Sequence, residues 1–270
     1  DGIRDRSPSR GLGDVYKRQT VHRTAFKTRW LNEFFYHVSS FMGDFEGFRW
    51  RWSHTFHHSN TLQTKDDYDH EIQVSRPTDL IAFFLNYIPF TDLLFPHRLI
   101  KYEVIKHAFG FFTPVVEITA PKREKKKILW NSRLYLLIWL IIIFTSIYFK
   151  TILPILYFIL PTYYGKPLWF LVNVTQHLGA AIDSKDHRES TYSLKINPVL
   201  SFYYWHMEYH IEHHMFPMVP SYNLPKLYEE IKDQLPKPQS LIEAYKEIIP
   251  AVIKKSKDPS YYIPVKIPNV

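Results

Sequence analysis

The chain has 270 residues, a formal net charge of +8 and a hydrophobic fraction of 46%. These values fit one domain or a membrane protein with a polar cap, and a mean hydropathy of −0.24 excludes a chain that lies wholly in a membrane. The absence of cysteine excludes disulfides, thiolate clusters and thiolate-ligated haem. The positive charge admits nucleic acid, anionic lipid or an acidic protein as a partner, and the apolar segments favour lipid over nucleic acid.

The first 19 residues are polar and lack the apolar stretch of a secretory signal. Residues 3–6 and 16–19 read IRDR and YKRQ, which one short sequencing-adapter DNA encodes in two reading frames. We interpret 1–19 as an adapter-derived segment, with a disordered basic tail as the alternative, and 20–270 as the domain. The native N-terminus is then expected to be missing from this sequence.

A histidine cluster follows, with His54, His57 and His58 at spacings of three and one. In a helix these three imidazoles lie on one face. Adjacent imidazoles that are charged or desolvated repel one another, so the pattern favours a metal site over a solvated polar face. The polar loop 59–71 carries carboxylates that could orient such histidines, although solvation is the simpler interpretation of any single one.

Several apolar segments come next in the chain. Segments 80–95 and 104–116 are too short for a hydrocarbon core of about 30 Å and predict interfacial or re-entrant helices. A basic run at 122–127 precedes 134–149, and with 152–164 and 168–174 this predicts a membrane hairpin over about 134–174. Positive charge marks the cytoplasmic side of a span, and a hairpin returns the chain to its starting side. Both histidine clusters are therefore expected on the cytoplasmic face.

The same spacing recurs at His210, His213 and His214, shortly before Pro217. We expect a single helix from Asn197 to carry this cluster. Six imidazole nitrogens exceed the four ligands of a structural or hydrolytic zinc site, so they indicate a pair of metal ions. Imidazole binds iron, copper, zinc and nickel, and ligand type alone leaves the metal open.

Three further histidines differ in the support that spacing gives them. His177 ends the second leg of the hairpin and should emerge near the two clusters. His187 has no spacing partner and is better explained as a surface or substrate-proximal residue. His206 lies one turn before the downstream cluster and is a candidate for orienting a ligand.

Two H-x-x-H-H clusters, the hairpin between them and Asn173-x-x-x-His177 resemble the membrane-bound fatty acid desaturase superfamily, whose histidine boxes bind two irons. The resemblance runs from about Val21 to the helix after Pro220. It implies an all-α integral membrane fold with a cytoplasmic histidine-rich di-iron cap. It also implies that Asn173 holds a metal-bound water and that the iron ligands are His22, His54, His57, His58, His177, His210, His213 and His214.

The resemblance further implies an O2-dependent oxidoreductase that introduces a double bond into a fatty acyl chain. No haem-binding module is visible in the sequence, so a separate ferredoxin or cytochrome b5 would supply electrons, and nucleic acid is not expected as a partner. Hydroxylation of an alkyl chain on the same scaffold stays open, as does a non-catalytic metal carrier, whereas the apolar run 134–149 disfavours a soluble dinuclear hydrolase. His22 closes the family's first box, and its opening histidine is absent, so we expect the chain as written to bind iron weakly or to be inactive.

Overall fold

The computed structural model describes residues 26–65, 69, 79–94 and 100–268. His22 and the segment 1–19 lie outside the described residues. The helices in chain order are α1 Arg29–Met42, α2 Gly47–Ser59, α3 Asp79–Leu85, α4 Ile100–Ala108, α5 Pro114–Thr119, α6 Lys122–Tyr148, α7 Leu153–Phe158, α8 Pro161–Asn173, α9 His187–Ser190, α10 Pro198–Tyr203, α11 His210–Met215, α12 Leu224–Ile231 and α13 Leu241–Lys255.

The fold is helical, as predicted. The strands β1 Leu194–Lys195 and β2 Gln239–Ser240 form a parallel pair in which Leu194 lies opposite Gln239. Each strand has two residues. This short ladder does not form a layer, and it joins the segment before α10 to the start of α13.

Helix α6 is the one helix within the described ranges that is long and apolar enough to cross a membrane. Its 27 residues extend about 40 Å at roughly 1.5 Å per residue, which exceeds a hydrocarbon core of about 30 Å. One stripe that includes Ile128, Tyr135 and Trp139 is buried, while Leu137 and Phe144 are exposed. The basic run predicted to precede the apolar segment forms the first turns of this helix.

The return leg of the predicted hairpin is divided into α7 and α8, and each is too short to span a membrane alone. Lys150 has a φ of 50° in the turn that follows α6. Pro161 has no N–H to continue α7 and its fixed φ suits the first turn of a helix, so α8 begins there. Short helices do occur in 80–95 and 104–116, as α3 and as α4 with α5, and their interfacial or re-entrant position stays a prediction.

The prediction of a single helix from Asn197 through the downstream cluster is wrong. Helix α10 ends at Tyr203, and α11 begins only at His210. Between them Trp205 and His206 have φ values of 54° and 55°. Two successive left-handed residues cannot continue a right-handed helix. His206 therefore does not share the face of α11.

A segment beyond α13 crosses the loop that follows α8. The Ile263 N–H donates to the Gly179 carbonyl at 2.7 Å. Gly179 has a φ of +89°, and a Cβ there would lie 2.6 Å from Cδ1 of Ile263. Glycine is required at this position by both its backbone conformation and the close approach of Ile263. The contact lies two residues after His177.

Candidate metal centre

Helix α2 carries the upstream cluster and is fixed at its N-terminus by Glu46. The Glu46 carboxylate accepts hydrogen bonds from the backbone N–H groups of Phe48 and Arg49 at 3.2 and 2.7 Å. Asn131 of α6 also donates to it, which ties the cluster helix to the long apolar helix. Burial raises the pKa of Glu46 to about 7. The cap thus anchors α2 to α6.

The upstream histidines lie on the buried face of α2, as their spacing predicts. His54, His57 and His58 are all buried. The Trp50 ring stacks on His54 with a centroid distance of 5.2 Å. Trp50 is itself buried, so an aromatic wall covers one side of the cluster.

The downstream cluster lies on α11, where every residue from His210 to His214 is buried. The Ser193 hydroxyl donates to the Glu212 carboxylate at 2.7 Å and accepts from the Ile211 N–H at 3.0 Å. These bonds tie α11 to the segment that enters β1. Burial raises the pKa of Glu212 to about 7, although the Ser193 hydrogen bond opposes the shift.

The two clusters meet in the interior and form two groups of three histidines, each with ring nitrogens within 4.8 Å of one another. The first group contains His54, His58 and His213. In it, Nε2 of His54 and Nε2 of His58 are 3.2 Å apart. Residues more than 150 positions apart in the chain therefore present their nitrogens to one point.

The second group contains His57, His177 and His214. His210 lies beside it, with its Nε2 3.0 Å from Nε2 of His177. The rings of His58 and His214 stack with a centroid distance of 4.2 Å, so the two groups are neighbours. The structure thus brings together seven of the eight predicted ligands, and their role as ligands stays a prediction.

Hydrogen bonds at Nδ1 orient all three histidines of the second group. Nδ1 of His57 lies 2.8 Å from the Asp69 carboxylate, and Nδ1 of His177 lies 3.0 Å from the Ser190 carbonyl. Nδ1 of His214 lies 3.2 Å from the Thr61 hydroxyl. A metal-bound histidine usually has such a partner on its second nitrogen, which fixes the ring and leaves Nε2 for the metal.

The buried Nε2 of His214 has no hydrogen-bond partner within the described part of the chain. Burial, together with the neighbouring histidines, lowers the pKa of His214 well below its usual value. The neutral imidazole is the form that binds metals. A buried, unpaired and neutral nitrogen among other imidazoles fits a metal ligand.

The nitrogen separations also suit coordination. Two histidine nitrogens at about 2.1 Å from one ion and at a right angle lie roughly 3.0 Å apart. Within the first group, the Nε2 atoms of His54 and His58 are 3.2 Å apart, which is close to this value. Each group could hold a metal ion, and imidazole ligands suit iron among other transition metals.

The other predicted residues occupy different positions. Asn173 is the last residue of α8, one turn before His177, and is partly buried. His206 belongs to neither group, and its Nδ1 lies 2.9 Å from the Ser201 hydroxyl. The ring of His187 lies 5.3 Å from that of His214, close to the site but outside both groups.

The sequence pointed to only one of the three groups that orient the second triad. Asp69 belongs to the polar loop whose carboxylates were expected to support ligands, and its carboxylate is fully buried. Thr61 and Ser190 carried no signal, because a threonine hydroxyl and a backbone carbonyl follow no ligand spacing. Residues Asp66, Asp67 and Glu71 of the same loop lie outside the described residues.

Comparison with known proteins agrees with this geometry. A sequence model of the family described as fatty acid desaturase matches residues 9–245. The match covers most of the chain, and the chain belongs to the fatty acid desaturase family. No curated protein and no solved structure matches it.

Proposed function

We propose that this member of the fatty acid desaturase family uses two histidine-bound irons and O2 to introduce a double bond into a fatty acyl chain. The observation that carries the proposal is the pair of buried triads, His54 with His58 and His213, and His57 with His177 and His214. The family establishes the general chemistry of an oxidoreductase. The acyl substrate, the pair of irons and the double bond are the proposed part.

Side chains alone cannot remove hydrogen from an unactivated methylene, because general acids and bases exchange protons with polarised groups. When bound, two irons would supply the oxidising power for this step. In the overall reaction, removal of two hydrogen atoms from adjacent carbons forms the alkene. These two hydrogen atoms, together with two electrons and two protons, reduce O2 to two waters. A separate ferredoxin or cytochrome b5 is the proposed source of the electrons.

The protein's own residues position and enclose this chemistry. Asp69, the Ser190 carbonyl and Thr61 contact Nδ1 of three rings, which would leave Nε2 of each ring to bind metal. Burial of both triads excludes bulk water from the reacting region and keeps His214 neutral. By analogy with its family, Asn173 is proposed to hold a metal-bound water, and His22 is proposed as a further ligand.

Membrane placement is a further part of the proposal. Helix α6 supplies an apolar length that fits a bilayer. The two clusters meet in one site, so they must lie on the same side of any membrane that α6 crosses. We place that side in the cytoplasm because the Lys-rich start of α6 follows the positive-inside tendency.

The test is iron analysis and product analysis of the protein purified in detergent and reconstituted with reduced ferredoxin or cytochrome b5. We expect bound iron in the purified protein and an alkene that forms only with O2, phospholipid or acyl substrate, and donor. The double variant His58→Ala/His214→Ala removes one nitrogen from each triad and should lose both iron and product. His206→Ala is the matched control and should keep both.

The products also separate the remaining alternatives. An alcohol without alkene would replace desaturation by hydroxylation on the same site. Rapid metal exchange without O2 consumption would indicate a metal carrier. A substoichiometric mixture of metals that is unaffected by His58→Ala/His214→Ala would refute the histidine-bound pair.

A further inference from the structure

Helix α10 has an unusual distribution of polar and apolar side chains. Asn197 caps it by accepting a hydrogen bond from the Leu200 N–H at 2.9 Å. Its one buried side chain is the polar Ser201. Three large residues point outward, and their exposed fractions are 67% for Val199, 71% for Phe202 and 74% for Tyr203. A helix on an aqueous surface normally has the opposite arrangement.

The inner side of this region packs against the end of α8. Tyr204, which follows α10, is buried in one hydrophobic cluster with Val172 of α8 and Phe83 of α3. Helix α8 exposes Leu168 at 69%. Helix α3 exposes Ile81 at 67%. Three elements that meet in one cluster therefore each present large apolar side chains outward, which is more than isolated exposed residues would produce.

We propose that α10 docks on the lipid bilayer and inserts Val199, Phe202 and Tyr203 into its interfacial region. The packing against α8 favours lipid over a protein partner, because α8 is part of the return leg from the apolar helix α6. Tyrosine and phenylalanine are typical of the layer in which an apolar face meets headgroups. Exposed Lys195, three residues before the helix, is suited to contact anionic headgroups.

This contact would set the height of the metal centre above the lipid. The Ser201 hydroxyl donates to the Glu208 carboxylate and lies 2.9 Å from Nδ1 of His206. The left-handed turn at Trp205 and His206 then leads directly into α11. Side-chain bonds thus join α10 rigidly to the segment that carries the downstream cluster. The inference rests on the proposed membrane placement of α6 but not on the proposed reaction, and bound metal is not needed for it.

The absence of cysteine from the chain allows a direct test. Single variants Val199→Cys and Phe202→Cys would be labelled with an environment-sensitive fluorophore and placed in nanodiscs of phosphatidylcholine with or without nitroxide-labelled lipid. Lys257→Cys, in an exposed polar segment, is the control. We expect blue-shifted emission at both α10 positions and at least about threefold more quenching by the labelled lipid than at the control.

Two outcomes would overturn the proposal. Emission at both α10 positions like that of the Lys257 control would mean that the helix faces water. Blue-shifted emission that the nitroxide lipid does not quench would mean that protein, such as a second copy of the chain, covers the face. Both variants change exposed residues, and thermal unfolding like that of the parent protein would verify that each is folded. Iron content does not enter this readout, so failure of the proposed reaction is distinguishable.

Discussion

Asp69 offers the sharpest test of the metal centre because its carboxylate contacts Nδ1 of His57, a member of one triad. Its Oδ2 lies 2.8 Å from Nδ1 of His57 and 2.9 Å from the Leu62 N–H. Asp69→Asn can keep an oxygen at that position, so it removes the negative charge and preserves the shape. Charge-assisted hydrogen bonds are roughly twice as strong as neutral ones, and loss of such a partner weakens metal binding by about 10- to 100-fold.

We expect Asp69→Asn to weaken metal binding by about tenfold, the lower end of that range, which corresponds to roughly 1.4 kcal/mol of binding free energy. Asp69→Ala also leaves the buried Leu62 N–H unpaired, which costs about 1–3 kcal/mol more. Because Asp69 orients a histidine of the second triad, we expect about half of the bound iron to be lost under a chelator concentration that leaves the iron content of the parent protein unchanged. Iron would be measured by mass spectrometry after competition with graded chelator.

The control is Asp183→Asn, whose carboxylate accepts from the N–H and hydroxyl of Thr64 at 2.8 Å rather than from a histidine. It should keep the iron content of the parent protein even if the loop loosens. Equal loss of iron in both variants would mean that loop packing matters and that ring orientation does not. Full iron retention in Asp69→Asn and Asp69→Ala would refute the reasoning outright.

Three other predictions use the same protein. Thr61→Val removes the hydroxyl at Nδ1 of His214 with little change of shape, and chelator competition should show a loss of about tenfold in affinity at one iron. His22→Ala should lower iron retention whereas His206→Ala should not; iron retention in His22→Ala equal to that of the parent protein would remove His22 from the ligand set. Burial raises the pKa of Glu46 from 4.5 to about 7, so between these pH values the folded state holds a proton that the unfolded state has lost, and the protein loses stability as pH rises, by at most about 3 kcal/mol. The melting temperature of Glu46→Gln should therefore improve relative to the parent from pH 5 to pH 8 in detergent, and a constant difference would contradict this assignment.

The two H-x-x-H-H spacings were sufficient to predict the helical faces and their meeting in one site. Spacing reports which side chains share a face of one helix, and His57 and His214 obey it. The meeting itself follows because buried imidazoles need a partner that satisfies them. Long-range partners such as the Ser190 carbonyl leave no pattern along the chain, so the orientation of His177 could not be predicted.

The apolar segments predicted where helices occur better than where each helix begins and ends. Mean hydropathy carries no information on where a proline interrupts backbone hydrogen bonding. It therefore predicted one membrane segment over 152–174, where the structure has two helices separated before Pro161. It also does not register a left-handed turn at non-glycine residues such as Trp205 and His206. The placement of α10 depended on that turn and could be found only from the structure.

The hydrogen bond between Ile263 and Gly179 holds residues near the end of the described chain against the loop that bears His177. A methyl group at position 179 would collide with Cδ1 of Ile263 and displace the segment that carries Ile263. This contact, although remote in sequence from either histidine box, thus restrains the position of His177, one member of the second triad. Deletion of the segment that carries Ile263, or loss of its hydrogen bond to Gly179, should loosen one metal position and leave the other unchanged.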